Sequence, residues 1–252
     1  MSYLLSGDFI LLALAAFFAG TVNALAGGGT FLTLPALVFI GVPPVMANTT
    51  SAAALLPGYL GASFGYLKTL KTIQKDYLFS LLLVVMAASV MGAFLLINTP
   101  NEIFLKLIPW LLLIATGLFM INPYLKKYLS NSSSSGGVVH NVGILIVGTY
   151  GGYFNGGLGI ALLSALSLNK KNSLEEMIAL KSVLSFFLTA VSVLFFTING
   201  FIVWWAAVSM MAFSTIGGFF GATMIQRLSS EFSRILIICI GISMTILMFT
   251  TS

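Results

Sequence analysis

Two amides and one ammonium stand out in a chain with almost no other polar chemistry in its apolar stretches. Asn23 is followed by Gly27, Gly28 and Gly29, and Asn155 by Gly156, Gly157 and Gly159, each set inside a long uncharged run. An amide can donate to an anion and can also tie down unwound backbone. Clustered glycines permit backbone closed to other residues. Together they would end one half-helix and start another. The new N-terminus would expose N–H groups with a partial positive charge, an anion site that needs no side-chain cation. The plainer reading is that the amides bridge helices and the glycines allow close packing or a turn. Two copies of the arrangement favour the functional reading.

Lys181 is the sharpest single residue. Ser173 and Glu176 fit a capping box, which starts a helix there. Lys181 would then lie about 12 Å into that helix. Facing a cavity, it would supply a cation, with Ser182 beside it and Asn48, Thr49 and Thr50 opposite. Its alternative is to snorkel to the interface or pair with Glu175 or Glu176. The acids Asp8, Asp76, Glu102, Glu175, Glu176 and Glu231 all sit at segment ends. None is placed for a proton relay or a cation site in mid-membrane. The expected substrate is therefore a small anion.

The elements that must position these residues are written twice. Gly20, Asn23 and Gly27 recur as Gly152, Asn155 and Gly159, an offset of 132 that also pairs Ala47 with Ala179, Thr49 with Lys181, Thr50 with Ser182 and Phe64 with Phe196. A repeated half with a Gly-interrupted apolar segment points to a transporter's substrate site. Charged residues make up 7% of the chain and apolar ones 59%, against about 25% charged in soluble domains. This is a membrane composition, with the lipid bilayer as a partner.

Ten apolar pieces follow: Phe9–Ala26, Thr30–Ile40, Met46–Leu67, Tyr77–Ile97 and Ile103–Tyr124, then Val142–Phe154, Leu158–Leu168, Leu174–Thr197, Phe201–Ile225 and Phe232–Phe249. The Ser/Gly stretch 131–137 divides an N-terminal repeat, 1–130, from a C-terminal one, 138–252. Thr30–Ile40 and Leu158–Leu168 have 11 residues each, about half the length that spans a bilayer. Read as re-entrant hairpins, they put ten Lys and Arg residues on or toward one side and only Lys106 toward the other. If each broken pair crossed once, the split would be five against six. The positive-inside rule favours the hairpins over single crossings; two full crossings per pair would give the same count, and the short 11-residue pieces argue against them. The expected fold is an all-α polytopic membrane protein of two inverted-topology repeats. Each repeat is a Gly-broken re-entrant hairpin plus three transmembrane helices, with both termini outside. The hairpin tips would then meet near the midplane.

Other motifs carry less. Gly61-Ala62-Ser63-Phe64-Gly65 fits the hydrolase pattern G-x-S-x-G, but it sits in an apolar helix far from His140, the only histidine. Close helix packing is the better reading of that segment, of Gly148 to Gly152 and of Gly217 to Gly221. Gly27-Gly28-Gly29 lacks the βαβ setting of a dinucleotide fingerprint. Cys239 stands alone, so no intrachain disulfide or cysteine metal cluster forms. The N-terminus lacks the basic start of a cleavable signal, so the first segment is expected to be retained. No metal, no cofactor and no nucleic-acid partner are expected, and a homo-oligomer is left open. An intramembrane enzyme would need a nucleophile or metal constellation, and Ser63 with His140 is a poor one; the chain is read as a non-enzyme.

The runs Asn23 to Leu37 (NALAGGGTFLTLPAL), Ala47 to Ala54 (ANTTSAAA), Phe154 to Leu163 (FNGGLGIALL) and Ala179 to Ser182 (ALKS) resemble the TauE/SafE sulfite exporter family of bacterial membrane proteins. The resemblance covers nearly the whole chain. It implies a bacterial inner-membrane, multi-pass transporter of sulfur-containing or organic anions in the sulfite, sulfoacetate and thiosulfate class. The motif positions are Asn23, Gly27, Gly28, Thr49, Thr50, Asn155, Gly159, Lys181 and Ser182. Export by alternating access is the expected mode, because a negative cell interior favours expelling an anion by about 2.3 kcal/mol per charge per 100 mV. The alternatives are a channel-like anion pore and an anion sensor that moves nothing.

Overall fold

The computed structural model describes residues 7–26, 28–131, 137–169, 172–225 and 230–251. Among them are eleven helices and no strand: α1 (Gly7–Ala26), α2 (Thr30–Phe39), α3 (Pro44–Gly65), α4 (Leu67–Leu70), α5 (Lys75–Ile97), α6 (Asn101–Asn131), α7 (Gly137–Tyr153), α8 (Leu158–Leu166), α9 (Leu174–Ile198), α10 (Trp204–Ile225) and α11 (Ser230–Thr251).

Local chemistry sets these boundaries. Pro44 opens α3, where its missing N–H and fixed φ cost nothing. The capping box at α9 is present in full: Ser173 Oγ accepts from the Glu176 amide at 3.2 Å, and Glu176 Oε2 accepts from the Ser173 amide at 2.7 Å. The two short helices, α2 with 10 residues and α8 with 9, are about 15 Å long. One boundary departs from the sequence reading. Met46–Leu67 is not one piece, because α3 stops at Gly65 and Tyr66 leads into the single turn α4.

The polarity of the molecule is turned outward. Large apolar side chains stand exposed on many helices, among them Phe39, Phe94, Ile146, Ile198 and Phe219. Buried positions include Thr33, Asn48, Ser51, Asn155, Ser185 and Thr189. Soluble proteins reverse this, so the exposed faces suit lipid. Two described helices, Lys75–Ile97 and Glu175–Ile198, are long and apolar enough to cross a membrane.

Several helix pairings of the N-terminal part recur in the C-terminal part. α1 packs on α10 and, correspondingly, α7 packs on α5. The pair α3–α10 matches α9–α5, α1–α2 matches α7–α8, and α2–α3 matches α8–α9. The contacts α3–α9 and α6–α11 map onto themselves.

The corresponding pairs α1–α10 and α5–α7 are built by small residues. A Cβ at Gly217 would stand 1.9 Å from the Phe17 carbonyl oxygen, and one at Gly92 would stand 2.1 Å from that of Thr149. A Cβ at Gly152 would stand 2.3 Å from the Ser89 carbonyl oxygen. Thr21 Oγ1 adds a bond to the Gly217 carbonyl at 3.0 Å. Close approach therefore explains the motifs at Gly148–Gly152 and at Gly217. It does not explain Gly61 and Gly65, where nothing lies within 4 Å of an added Cβ. The packing expectation for that segment is corrected: these glycines face outward.

The α8–α9 connection is tied by a buried polar knot. His140 Nδ1 donates to the Ala165 carbonyl at 3.2 Å, because a carbonyl can only accept. Its Nε2 then accepts from Tyr77 Oη at 3.1 Å. The same phenol accepts from Asn169 Nδ2 at 3.1 Å and Asn172 Nδ2 at 3.0 Å.

Candidate functional site at the two helix breaks

The breaks are not drawn alike. Asn23 lies inside the last turn of α1, whereas Asn155 lies in the unwound segment between α7 and α8. Gly27 falls outside the described residues. Gly157 sits at φ +70°, a conformation glycine adopts without strain. A Cβ there would also meet Ala115 on α6 at 2.9 Å. Tyr150 Oη pins the unwound backbone by donating to the Gly156 carbonyl at 2.7 Å. Gly156 is covered by the Phe154 ring, and Gly159 is buried in the first turn of α8.

Helix N-termini supply less to a ligand here than the sequence suggests. At α2, Phe31 and Leu32 donate back to Gly28 and Gly29, both at 3.1 Å. At α8, Leu158 and Ile160 donate to Asn155 and Gly157, at 3.3 and 3.0 Å. These tight turns consume amides that would otherwise be free.

Side chains decide the rest. Asn155 is fully engaged: its Oδ1 accepts from Tyr59 Oη at 2.9 Å and its Nδ2 donates to Thr189 Oγ1 at 2.9 Å. Asn23 has no side-chain hydrogen bond among the described residues, and its Oδ1 is buried without a partner. Its Nδ2 lies 3.6 Å from where a Cβ on Gly58 would stand. The two amides therefore reach adjacent residues of α3, Gly58 and Tyr59.

The expected wall opposite Lys181 is largely committed elsewhere. Thr50 Oγ1 accepts from the Val203 amide at 3.0 Å, and Thr49 Oγ1 donates to the Phe201 carbonyl. Both hold the α9–α10 connection. Asn48 Nδ2 donates to the Tyr153 carbonyl at 2.9 Å, closing the end of α7, and its Oδ1 is left buried without a partner. Ser182 Oγ turns back to the Ile178 carbonyl at 2.9 Å. Lys181 itself is half-buried and makes no ion pair among the described residues.

Reading by motif missed a stripe on α9. Lys181, Ser185, Thr189 and Ser192 recur at spacings of four, four and three, which places them on one helix face. That periodicity was present in the sequence. Tyr59 had no such signal, since its partner lies 96 residues away. Phe186 packs against the cluster of Ala19, Leu55 and Tyr59, and α9 packs on α3. Among the described residues no three of His, Cys, Asp and Glu lie together as metal ligands would.

This buried polar seam runs through a bundle whose outer faces are apolar. The family profile described as "Sulfite exporter TauE/SafE" matches residues 12–248. The chain belongs to the TauE/SafE family. It is a membrane protein of a transporter family. It is 31% identical over 238 residues to a "Probable membrane transporter protein" of Haemophilus influenzae, covering 91% of this chain and 89% of the relative. The "Probable membrane transporter protein ORF9" of a Sinorhizobium species is 29% identical over 148 residues, 59% of this chain and 56% of its own length. The "Probable membrane transporter protein YfcA" of Escherichia coli K12 is 25% identical, covering 86% of this chain and 79% of the relative. No solved structure gives a significant match. In this TauE/SafE chain Asn155, Tyr59 and Thr189 form one buried hydrogen-bonded group between α3, α9 and the break before α8.

Proposed function

We propose that this chain exports a small sulfur-containing or organic anion, of the sulfite or sulfoacetate class, across the bacterial inner membrane by alternating access. The observation that carries the reading is Asn23, whose amide has no side-chain hydrogen bond among the described residues and lies beside a helix break. Lys181, without an ion pair among the described residues, is the matching cation. An anion could accept from Asn23 Nδ2 at the break or from the Lys181 ammonium, and a desolvated charge needs such a partner; the buried Asn23 Oδ1 calls for a donor, such as a protonated oxygen of the substrate. The substrate site is read as Asn23, Gly27, Gly28, Asn48, Thr49, Thr50, Asn155, Gly156, Gly159, Lys181 and Ser182. Asn155, Asn48, Thr49 and Thr50 act there mainly by holding the frame.

The matched pairings of the two halves support an inverted repeat with a site at its centre. Ten basic residues on or toward one side support a cytoplasmic face there and termini outside. Outward anion movement needs no coupled proton, which suits a chain whose acids lie at segment ends.

Flux from proteoliposomes loaded with sulfite or sulfoacetate tests the reading. Wild-type protein should carry at least one of them, and Lys181→Gln should lower flux about tenfold or more while the protein still folds. Equal flux in the variant would return Lys181 to the interface. Binding without flux in the wild type would make the protein a sensor, and flux above carrier rates would make it a pore.

A further inference from the structure

Serine in a helix can satisfy its hydroxyl on its own preceding turn. On α9, Ser182 does so on Ile178, Ser192 on Leu188 and Thr197 on Val193, at 2.9, 2.9 and 2.7 Å. Thr189 receives the Asn155 amide. Ser185 does none of this. It is fully buried, at 0% exposure, and its Oγ has no partner. The carbonyl it leaves unused is that of Lys181, one turn before it on the same face.

A buried hydroxyl without a partner costs stability. Here it lies between Lys181, which makes no ion pair among the described residues, and the Asn155–Thr189 pair. A second orphan shows what a packing explanation looks like. Thr116 Oγ1 on α6 is also buried without a partner. A Cβ on Gly241 of α11 would fall 2.3 Å from that oxygen, so helix contact explains it. Ser185 sits instead on the face of α9 that carries Lys181 and Thr189, and its neighbour Phe186 joins the cluster of Ala19, Leu55 and Tyr59 beside the breaks.

We propose that Ser185 is a substrate-contact residue, donating its hydroxyl to an acceptor atom of the bound anion one helical turn beyond Lys181. This rests on the anion reading above and extends it. The ligand must present one acceptor to the ammonium and a second to the hydroxyl, as a sulfite, sulfonate or carboxylate does and a halide does not. The stripe would then form a ladder along α9. It would run from Lys181 through Ser185 to Thr189, whose hydroxyl oxygen accepts from Asn155 Nδ2.

The experiment compares wild type, Ser185→Ala and Thr116→Val as purified full-length protein in nanodiscs. Thermal unfolding is recorded without ligand and against sulfite, sulfoacetate and chloride. Ser185→Ala should unfold at the same or a higher temperature without ligand, yet bind sulfite or sulfoacetate about tenfold more weakly or worse. Chloride should bind neither form better. Thr116→Val should leave anion affinity unchanged. A lower unfolding temperature with unchanged affinity in Ser185→Ala overturns the proposal and makes the hydroxyl structural. A wild-type protein blind to both oxyanions overturns the anion reading itself, and the contact with it.

Discussion

Asn23 and Asn155 hold equivalent places in the two halves, yet one amide is bonded at both ends and the other at neither. The reason lies in what the offset of 132 places around each. Asn155 uses Thr189, and the position equivalent to Thr189 is Pro57, which has no side-chain acceptor. Asn155 also uses Tyr59 from the other half, and the position equivalent to Tyr59 is Val191. The neighbouring side chains therefore differ: Thr189 and Tyr59 hold Asn155, whereas Pro57 and Val191 stand at the corresponding positions for Asn23. At the breaks themselves, Asn155 reads as frame and Asn23 as the amide left open.

The helix scaffold should not share that asymmetry. The corresponding pairs α1–α10 and α5–α7 both bring backbone against glycine, at Gly217 and at Gly92. Gly217→Ala and Gly92→Ala each put a methyl about where a carbonyl oxygen already stands, and relief requires moving a helix. Each should cost about 3 kcal/mol or more, measured as unfolding in detergent. Loss at one site with tolerance at the other would mean that the halves do not share a scaffold. Gly61→Ala is the control and should leave stability unchanged or raise it slightly, since it faces open space in a helix.

The amides themselves give the next effect. Asn155→Ala removes two buried hydrogen bonds and strands the hydroxyls of Tyr59 and Thr189. It should cost about 2–3 kcal/mol of stability. Asn23→Ala removes no bond and deletes a buried orphan, so stability should stay within about 0.5 kcal/mol. Its loss should show in anion binding instead. If Asn23→Ala destabilises as much as Asn155→Ala, both amides are frame, and the contrast between the halves fails.

Much of this frame was legible in the sequence, because caps and glycines fix helix ends locally. The capping box at Ser173, the short helices after each break and the bounds of α5 and α9 follow from residues within a few positions, whereas α7 begins at Gly137, five residues before the apolar piece read at Val142. Asn155 and Lys181 stood out as polar groups in apolar runs. The jobs of Thr49 and Thr50 did not, because their partners Phe201 and Val203 lie about 150 residues away. Tyr59 is hidden for the same reason. The α9 stripe is a different case. Its period was written in the chain, but a serine reveals nothing by type alone, and only the missing partner at Ser185 marks it out. Gly61 and Gly65 show the converse, a packing motif with nothing to pack against.

The smallest expected effect is the most direct test of how the halves diverged. If Pro57 is what leaves Asn23 free, a hydroxyl restored at that position should capture it as Thr189 captures Asn155. Pro57→Thr does this, but it also changes the helix. Proline inside α3 removes one backbone donor and crowds the turn before it. Any residue replacing it restores that hydrogen bond and stabilises α3. Pro57→Ala carries the same backbone gain without the hydroxyl, so the difference between the two variants isolates the new side-chain bond. Pro57→Thr should be more stable than Pro57→Ala by about 1 kcal/mol, after allowing for the slightly lower helix propensity of threonine. It should also bind the transported anion more weakly, because Asn23 is now occupied. Equal stability and equal affinity in the two variants would show that Pro57 does not control Asn23.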